Sequence, residues 1–386
     1  MSGWRWLEGA EGSYSWSFVG RVLAKALALF LLTNLAFAAI DPWPLLGRIS
    51  LYGHLAPLRP RFPYGEQPER SYSLSLSDMN ALFGSHVIAR PKAGDEYRVI
   101  LIGDSSVWGF LLRPDETLAV ALNDLAMTSG DGRQIRAYNL GYPEMSLFKD
   151  LLLLDRALAH DPDLIVWLVT LESFAPQRQL APALVRDNAD AVRRLAAQHA
   201  LDLDLDNAGL AEPDLLGRTI VGRRRALADW LRYQLYGLAW AATGIDQIYP
   251  DEIALRASDL QADESWHDFD RPRDFAAGEI SFPVLAAGNE RAGATPLLVV
   301  NEPMFISDGA NSDVRYNFWY PRWAYDRYRE LLHAEAASAG WNLVDLWDAI
   351  APQEFTDSPV HLTPEGTRQL AELLQPAIRQ LAGEAF

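Results

Sequence analysis

Cysteine is absent from the 386-residue chain, which excludes disulfide cross-links, thiolate nucleophiles and Cys-ligated zinc or iron–sulfur sites. Positive charge is scarce as well. Lys and Arg number 34 against 51 Asp and Glu, a formal net charge of -17, so most of the surface would repel a phosphate backbone and nucleic acid is not an expected partner. Histidine is limited to 7 residues, so imidazole chemistry has few places to reside. No internal repeat or low-complexity tract interrupts the chain. What is plentiful is apolar side chain, at 49%, enough for one large domain with insertions.

Long hydrophobic runs are also few, and the most extended lies near the N-terminus. "VLAKALALFLLTNLAFAAI", residues 22–40, approaches the ~20 apolar residues that span a bilayer. Arg21 and Lys25 favour a cytoplasmic N-terminal side, which makes 1–21 a cytoplasmic segment, 22–40 a transmembrane signal anchor and the rest of the chain extracytoplasmic. Two other readings stay open. "AFA" at 36–38 offers a signal-peptidase site that would release a secreted protein, and a buried helix of a cytosolic protein is the third. Residues 41–94, rich in Pro, Gly and charge without a sustained period, are expected to be a connector.

From residue 95 onward, short apolar runs alternate with helical patterns. Strands are expected at "RVILIG", "IRAYNLG", "DLIVWLV", "TPLLVVNE" and "WNLVDLW", with helices between them and a last helix after Thr363. This rhythm predicts an α/β fold whose doubly wound parallel sheet has five strands covered on both faces. A long interruption at about 173–292 is expected to be a largely helical insertion, since so long a loop needs structure of its own. Within it, 217–244 combines Arg223, Arg224 and Arg225 with Trp230, Tyr233, Tyr236 and Trp240. Such a segment suits either an anionic membrane surface or packing against the core. The polar and aromatic stretch 307–323 is a candidate sugar cleft or an ordinary loop.

Parallel sheets bind ligands at the carboxyl ends of their strands, and "RVILIGDSSVWGF" at 98–110 puts Gly103, Asp104 and Ser105 at such an end. Ser105 is then either a helix N-cap or a nucleophile at a helix N-terminus. A nucleophilic serine needs a base. "EFTDSPVHLTPEG" at 354–366 supplies His361 after the last strand, and Asp357 four residues earlier is able to orient the imidazole.

With these residues in place the sequence resembles the SGNH/GDSL hydrolase family, through "GDS" at 103–105, Gly109, and "DSPVH" at 357–361. The resemblance covers roughly 96–172 and 293–386. It implies a flavodoxin-like sheet, a Ser105 nucleophile, a His361 base, an Asp357 orienter, and neither metal nor cofactor. It also implies an oxyanion hole built from the backbone N–H groups of Ser105 and Gly141. Two departures stand out. Leu171 occupies the place of the family's Gly-x-Asn-Asp asparagine, leaving Asn301 or Thr170 as substitute donors, and Asp357 precedes His361 by four residues where the family has three. Glu354 and Asp348 are further candidate orienters. The expected function is a serine esterase or deacylase acting on acyl or acetyl esters of a cell-envelope glycan or lipid. The alternatives are an O-acyltransferase of a surface polysaccharide, and a glycan-binding or assembly protein without catalysis. The oligomeric state is left open.

Overall fold

The structure, a computed structural model, describes residues 15–46, 49, 58–64, 79–210, 213–243 and 253–383. Its principal elements are α1 (Trp16–Ile40), β1 (Glu96–Ile102), α2 (Ser105–Trp108), α3 (Leu118–Asp124), β2 (Gln134–Asn139), α4 (Leu147–Ala157) and β3 (Leu164–Val169). After these come α5 (Ala189–Gln198), α6 (Arg224–Thr243), α7 (Phe282–Ala292), β4 (Leu297–Asn301), α8 (Arg322–Ala339), β5 (Asn342–Asp345) and α9 (Pro364–Leu381).

The chain divides into two compact units, one of residues 1–47 with 212–232 and one of 48–211 with 233–386. The larger unit contains a five-stranded sheet in the order β2-β1-β3-β4-β5, every pair parallel. This is the flavodoxin-like, doubly wound arrangement. Its three central strands are buried throughout, so their apolar runs have no polar alternation. Alternate side chains serve different cores. Ile100, Ile102, Ile165, Trp167, Val169 and Val299 meet residues of α4, α7 and α8, whereas Val99, Leu101, Val166, Leu168 and Val300 meet Leu118 and Leu122 of α3 and Leu370 and Leu374 of α9.

Two expectations about the flanking segments change. The proposed connector is not all linker, because Phe62, Phe83 and Ile88 are buried in the sheet's core. Arg61 is also buried, donating to the carbonyls of Gly109 at 2.8 Å and Leu112 at 3.0 Å and lying 4.0 Å over the Trp108 ring. The long insertion is less helical than expected. Residues 253–276 form no helix, their five aspartates and Pro272 opposing one, and α7 serves as the β3–β4 crossover, packed against α4. Parts of both segments, 65–78 and 244–252 among them, lie outside the described residues, as do residues 1–14 of the expected cytoplasmic segment.

The smaller unit is built on α1, 25 residues long and apolar over most of its circumference. Among the described residues it is the one helix long and apolar enough to cross a membrane.

Candidate active site

The turn after β1 brings the chemistry together. Gly103 ends the strand, Asp104 caps α2 by accepting from the Ser106 N–H at 2.8 Å, and Ser105 is the first residue of that helix. A one-turn helix needs a stop. Gly109 provides it with φ +87°, a left-handed conformation that glycine adopts without cost, and a Cβ there would approach Thr117 Cγ2 to 2.8 Å.

Ser105, His361 and Asp357 lie in line. Ser105 Oγ is 2.8 Å from His361 Nε2, and His361 Nδ1 is 2.8 Å from Asp357 Oδ1. An ionised carboxylate only accepts, so Nδ1 carries a proton and the neutral ring presents Nε2 as acceptor for the serine hydroxyl. Burial tends to raise the Asp357 carboxyl, but the hydrogen bond and charge of His361 outweigh it and hold the group below its ordinary value. Phe110 stacks on the imidazole with ring centroids 4.6 Å apart. Its N–H donates to the Ser105 carbonyl at 3.0 Å, which ties the stacking ring to the serine turn.

The four-residue Asp–His spacing has a local explanation. The Thr356 N–H donates to the His361 carbonyl at 2.8 Å, and the Ser358 hydroxyl accepts from the N–H groups of Val360 and His361 at 3.3 and 3.2 Å. A compact loop thereby accommodates the extra residue while Asp357 and His361 still meet. Arg256 grips this loop from the insertion. It donates to the carbonyls of Thr356, Phe355 and Pro352, and its guanidinium lies 4.0 Å over Phe305, whose own N–H donates to the Pro359 carbonyl at 2.7 Å. Neither alternative orienter reaches the histidine. Glu354 accepts from Thr363 at the start of α9, and Asp348 is exposed.

The expected oxyanion donors are placed differently. Asn301 is a correction, because it is fully buried with its amide donating to Asp345 Oδ1 at 2.8 Å and its oxygen accepting from the hydroxyls of Tyr328 and Tyr325 at 3.0 and 3.3 Å. The cause is register, since Asn301 pairs with Asp345 across β4 and β5 and both side chains emerge on one face. Thr170 is buried and bonded to the Tyr320 hydroxyl at 3.0 Å, and Leu171 is buried apolar surface. Gly141 is held close to the serine turn, so close that a Cβ would come within 2.4 Å of Trp108 N. Its N–H, however, donates to Asn139 Oδ1 at 3.0 Å, so an oxyanion would have to share or displace that bond.

Sequence reasoning missed the charged layer under the turn. Lys149, fully buried, donates to the carbonyls of Gly103 and Tyr142, each at 2.8 Å, and so joins the serine turn to the Gly141 loop. Its counter-ion is Asp150 at 2.6 Å, which also accepts from Trp167 Nε1 at 3.2 Å, and burial pushes the Asp150 carboxyl up to about 6. Glu302 is buried too and accepts from the Ser106 hydroxyl; burial first, then the charge of nearby Asp104, raises it well above the ordinary carboxylate range. The available signal was a Lys-Asp pair at the head of the otherwise leucine-rich "LFKDLLLL", and an acid following a buried strand in "VVNEPMF".

The stretch 307–323 buries Ser307, Arg315 and Asn317 and leaves Asp308 and Asp313 exposed. Asn317 donates to the Phe305 carbonyl at 2.9 Å and accepts from the N–H groups of Trp319 and Tyr320 at 3.0 and 3.1 Å, which leaves its side chain committed to the loop.

No family model matches the sequence, and no curated protein matches it. Solved structures do resemble the fold. One is a carbohydrate acetylesterase family member from Sinorhizobium meliloti, 13% identical, with 75% of this chain and 100% of that chain covered at a TM-score of 0.34. Another is the M. smegmatis aryl esterase, 12% identical, with 74% and 99% covered at a TM-score of 0.35.

Proposed function

We propose that the chain is an ester hydrolase of the SGNH/GDSL type, with Ser105 as nucleophile, His361 as base and Asp357 as orienter. The supporting observation is the continuous Ser105–His361–Asp357 relay at 2.8 Å per link, set at the carboxyl end of the central strand β1. In the reaction, Ser105 Oγ attacks the ester carbonyl as His361 Nε2 takes its proton. The protonated imidazole, stabilised by Asp357, then gives that proton to the leaving alcohol. Water enters with His361 again as base, and the carboxylic acid departs. The oxyanion is met by the Ser105 N–H, which as the first N–H of α2 has no acceptor within the helix, and by the Gly141 N–H as it exchanges Asn139 for substrate. The proposed substrate is an acyl or acetyl ester of an envelope glycan or lipid. The 95–386 region, anchored by α1 on the outer side of a membrane, would meet such esters directly.

The test is S105A in the full chain in detergent, assayed on a short-chain aryl ester together with labelling by a fluorophosphonate. Loss of both turnover and label is expected. Labelling that persists in S105A would overturn the assignment.

A further inference from the structure

The smaller unit carries a feature that the proposed reaction does not use. Asn34 is the buried polar residue of α1, and its side chain is fully engaged. Its amide donates to the Phe30 carbonyl at 2.9 Å, and its oxygen accepts from the backbone N–H of Val221 at 3.1 Å. Two more rungs follow further along both segments. Arg223 pairs with Asp41 at 3.3 Å and lies 5.3 Å over Trp43, and Trp230 donates to the Leu46 carbonyl at 2.9 Å. The segment 221–230 therefore climbs alongside 34–46.

This ladder fixes a depth. Asn34 precedes the helix end at Ile40 by six residues, about 9 Å at ~1.5 Å per residue, so a bilayer that surrounds α1 also surrounds Val221. Asp41 and Trp43 mark the level of the headgroups. The preceding turn folds back against Gly222, where a Cβ would meet the Leu216 carbonyl at 2.4 Å, which keeps Leu215 and Leu216 near that rung. Both are exposed, at 58% and 72%, as is Val221 at 45%. Residues 213–232 also hold five arginines and two aspartates, the reverse of the chain's -17 balance.

We infer that 213–232 is a second membrane contact. Leu215, Leu216 and Val221 enter the acyl region beside α1, and Arg224 and Arg225, which follow the Arg223–Asp41 rung, lie among anionic headgroups. This rests on the proposed membrane span of α1. The contact would fix the rotation of the helix as well as its depth, and the polar Asn34 would be satisfied within the bilayer by the loop that it holds.

The cysteine-free sequence permits single-site labelling of the full chain. L216C, L31C and E372C, each carrying an environment-sensitive fluorophore, are reconstituted in vesicles of phosphatidylcholine and phosphatidylglycerol with and without doxyl-labelled lipid. The expected result is blue-shifted, doxyl-quenched emission at 216 and 31, unquenched emission at 372, and reduced quenching at 216 when R224E and R225E are added. Quenching at 31 without quenching at 216 overturns the inference and leaves the span of α1 intact. Absence of quenching at 31 overturns both. Self-quenching at 216 without a doxyl effect also overturns it and assigns the surface to a second copy of the chain.

Discussion

Besides stabilising the imidazolium in the proposed reaction, the Asp357 carboxylate fixes which ring nitrogen of neutral His361 holds the proton. D357N keeps the shape but lets the amide donate to Nδ1, which favours the tautomer with Nε2 protonated. Turnover is expected to fall by about four orders of magnitude with little change in KM, measured on an aryl ester. Lys149 acts at one remove, as a positioning residue. K149M leaves Asp150 buried without its cation and is expected to lose about 3–5 kcal/mol near pH 8, read by chemical denaturation. Adding D150N restores most of that stability, because the charge pair is then absent altogether. The turnover number of the double variant should stay low, since the Gly103 and Tyr142 carbonyls have lost the donor that joins them. Full recovery of turnover with stability would reduce Lys149 to a packing role.

At the scale of elements, the proposed oxyanion site depends on how closely the Gly141 loop approaches α2. A methyl group at 141 would lie 2.4 Å from Trp108 N and 2.8 Å from Val107 C, backbone atoms that cannot swing aside. G141A is therefore expected to push the loop away and lower turnover strongly, with a smaller loss of melting temperature; an unchanged turnover would remove Gly141 from the oxyanion site. The sheet and its crossover helices were legible in the sequence because strands buried on both faces leave uninterrupted runs such as "RVILIG" and "DLIVWLV". The serine turn was legible because a Gly-Asp-Ser at a strand end needs only local chemistry to recognise. Asn301 was not, since its role is decided by Tyr325 and Tyr328 on α8 and by Asp345 on β5, partners brought together only by folding. Arg61 and Phe62 were hidden for a related reason. Their proline-rich surroundings have no period, and it is contact with α2 and the core that buries them.

Over the whole molecule, stability should respond to pH from two sides. Burial favours the neutral form of Asp163, but Lys92, the Arg98 N–H and Arg133 outweigh it and hold the carboxyl below its ordinary value. Its contribution is present above the unfolded value of about 4 and is lost as pH falls through the lower folded value. Glu302 has the opposite sign. Its folded value is raised, so it favours the folded state at low pH and costs stability as pH rises above the unfolded value, by about 1.4 kcal/mol for each pH unit over which the folded chain alone keeps the proton. Denaturation midpoints measured from pH 2 to 9 should flatten on the acid side, below about pH 4, in D163N. They should rise on the alkaline side in E302Q, and an E302Q protein no more stable than the parent at pH 8 would contradict the upward shift of the buried Glu302 carboxyl.

The grip of Arg256 on the 352–356 loop bears on how this chain can be trimmed or recombined. Residues 253–276 look expendable, a stretch without α-helix inside the β3–β4 connection, between α6 and α7. Yet the segment carries the guanidinium that holds the backbone just ahead of Asp357 and His361. A minimal enzyme made by excising the insertion between α5 and α7 would keep all three relay residues and lose the brace that sets two of them. Transplanting the insertion between related chains would meet the same obstacle, because the insert and the 352–361 loop have to be exchanged as a pair.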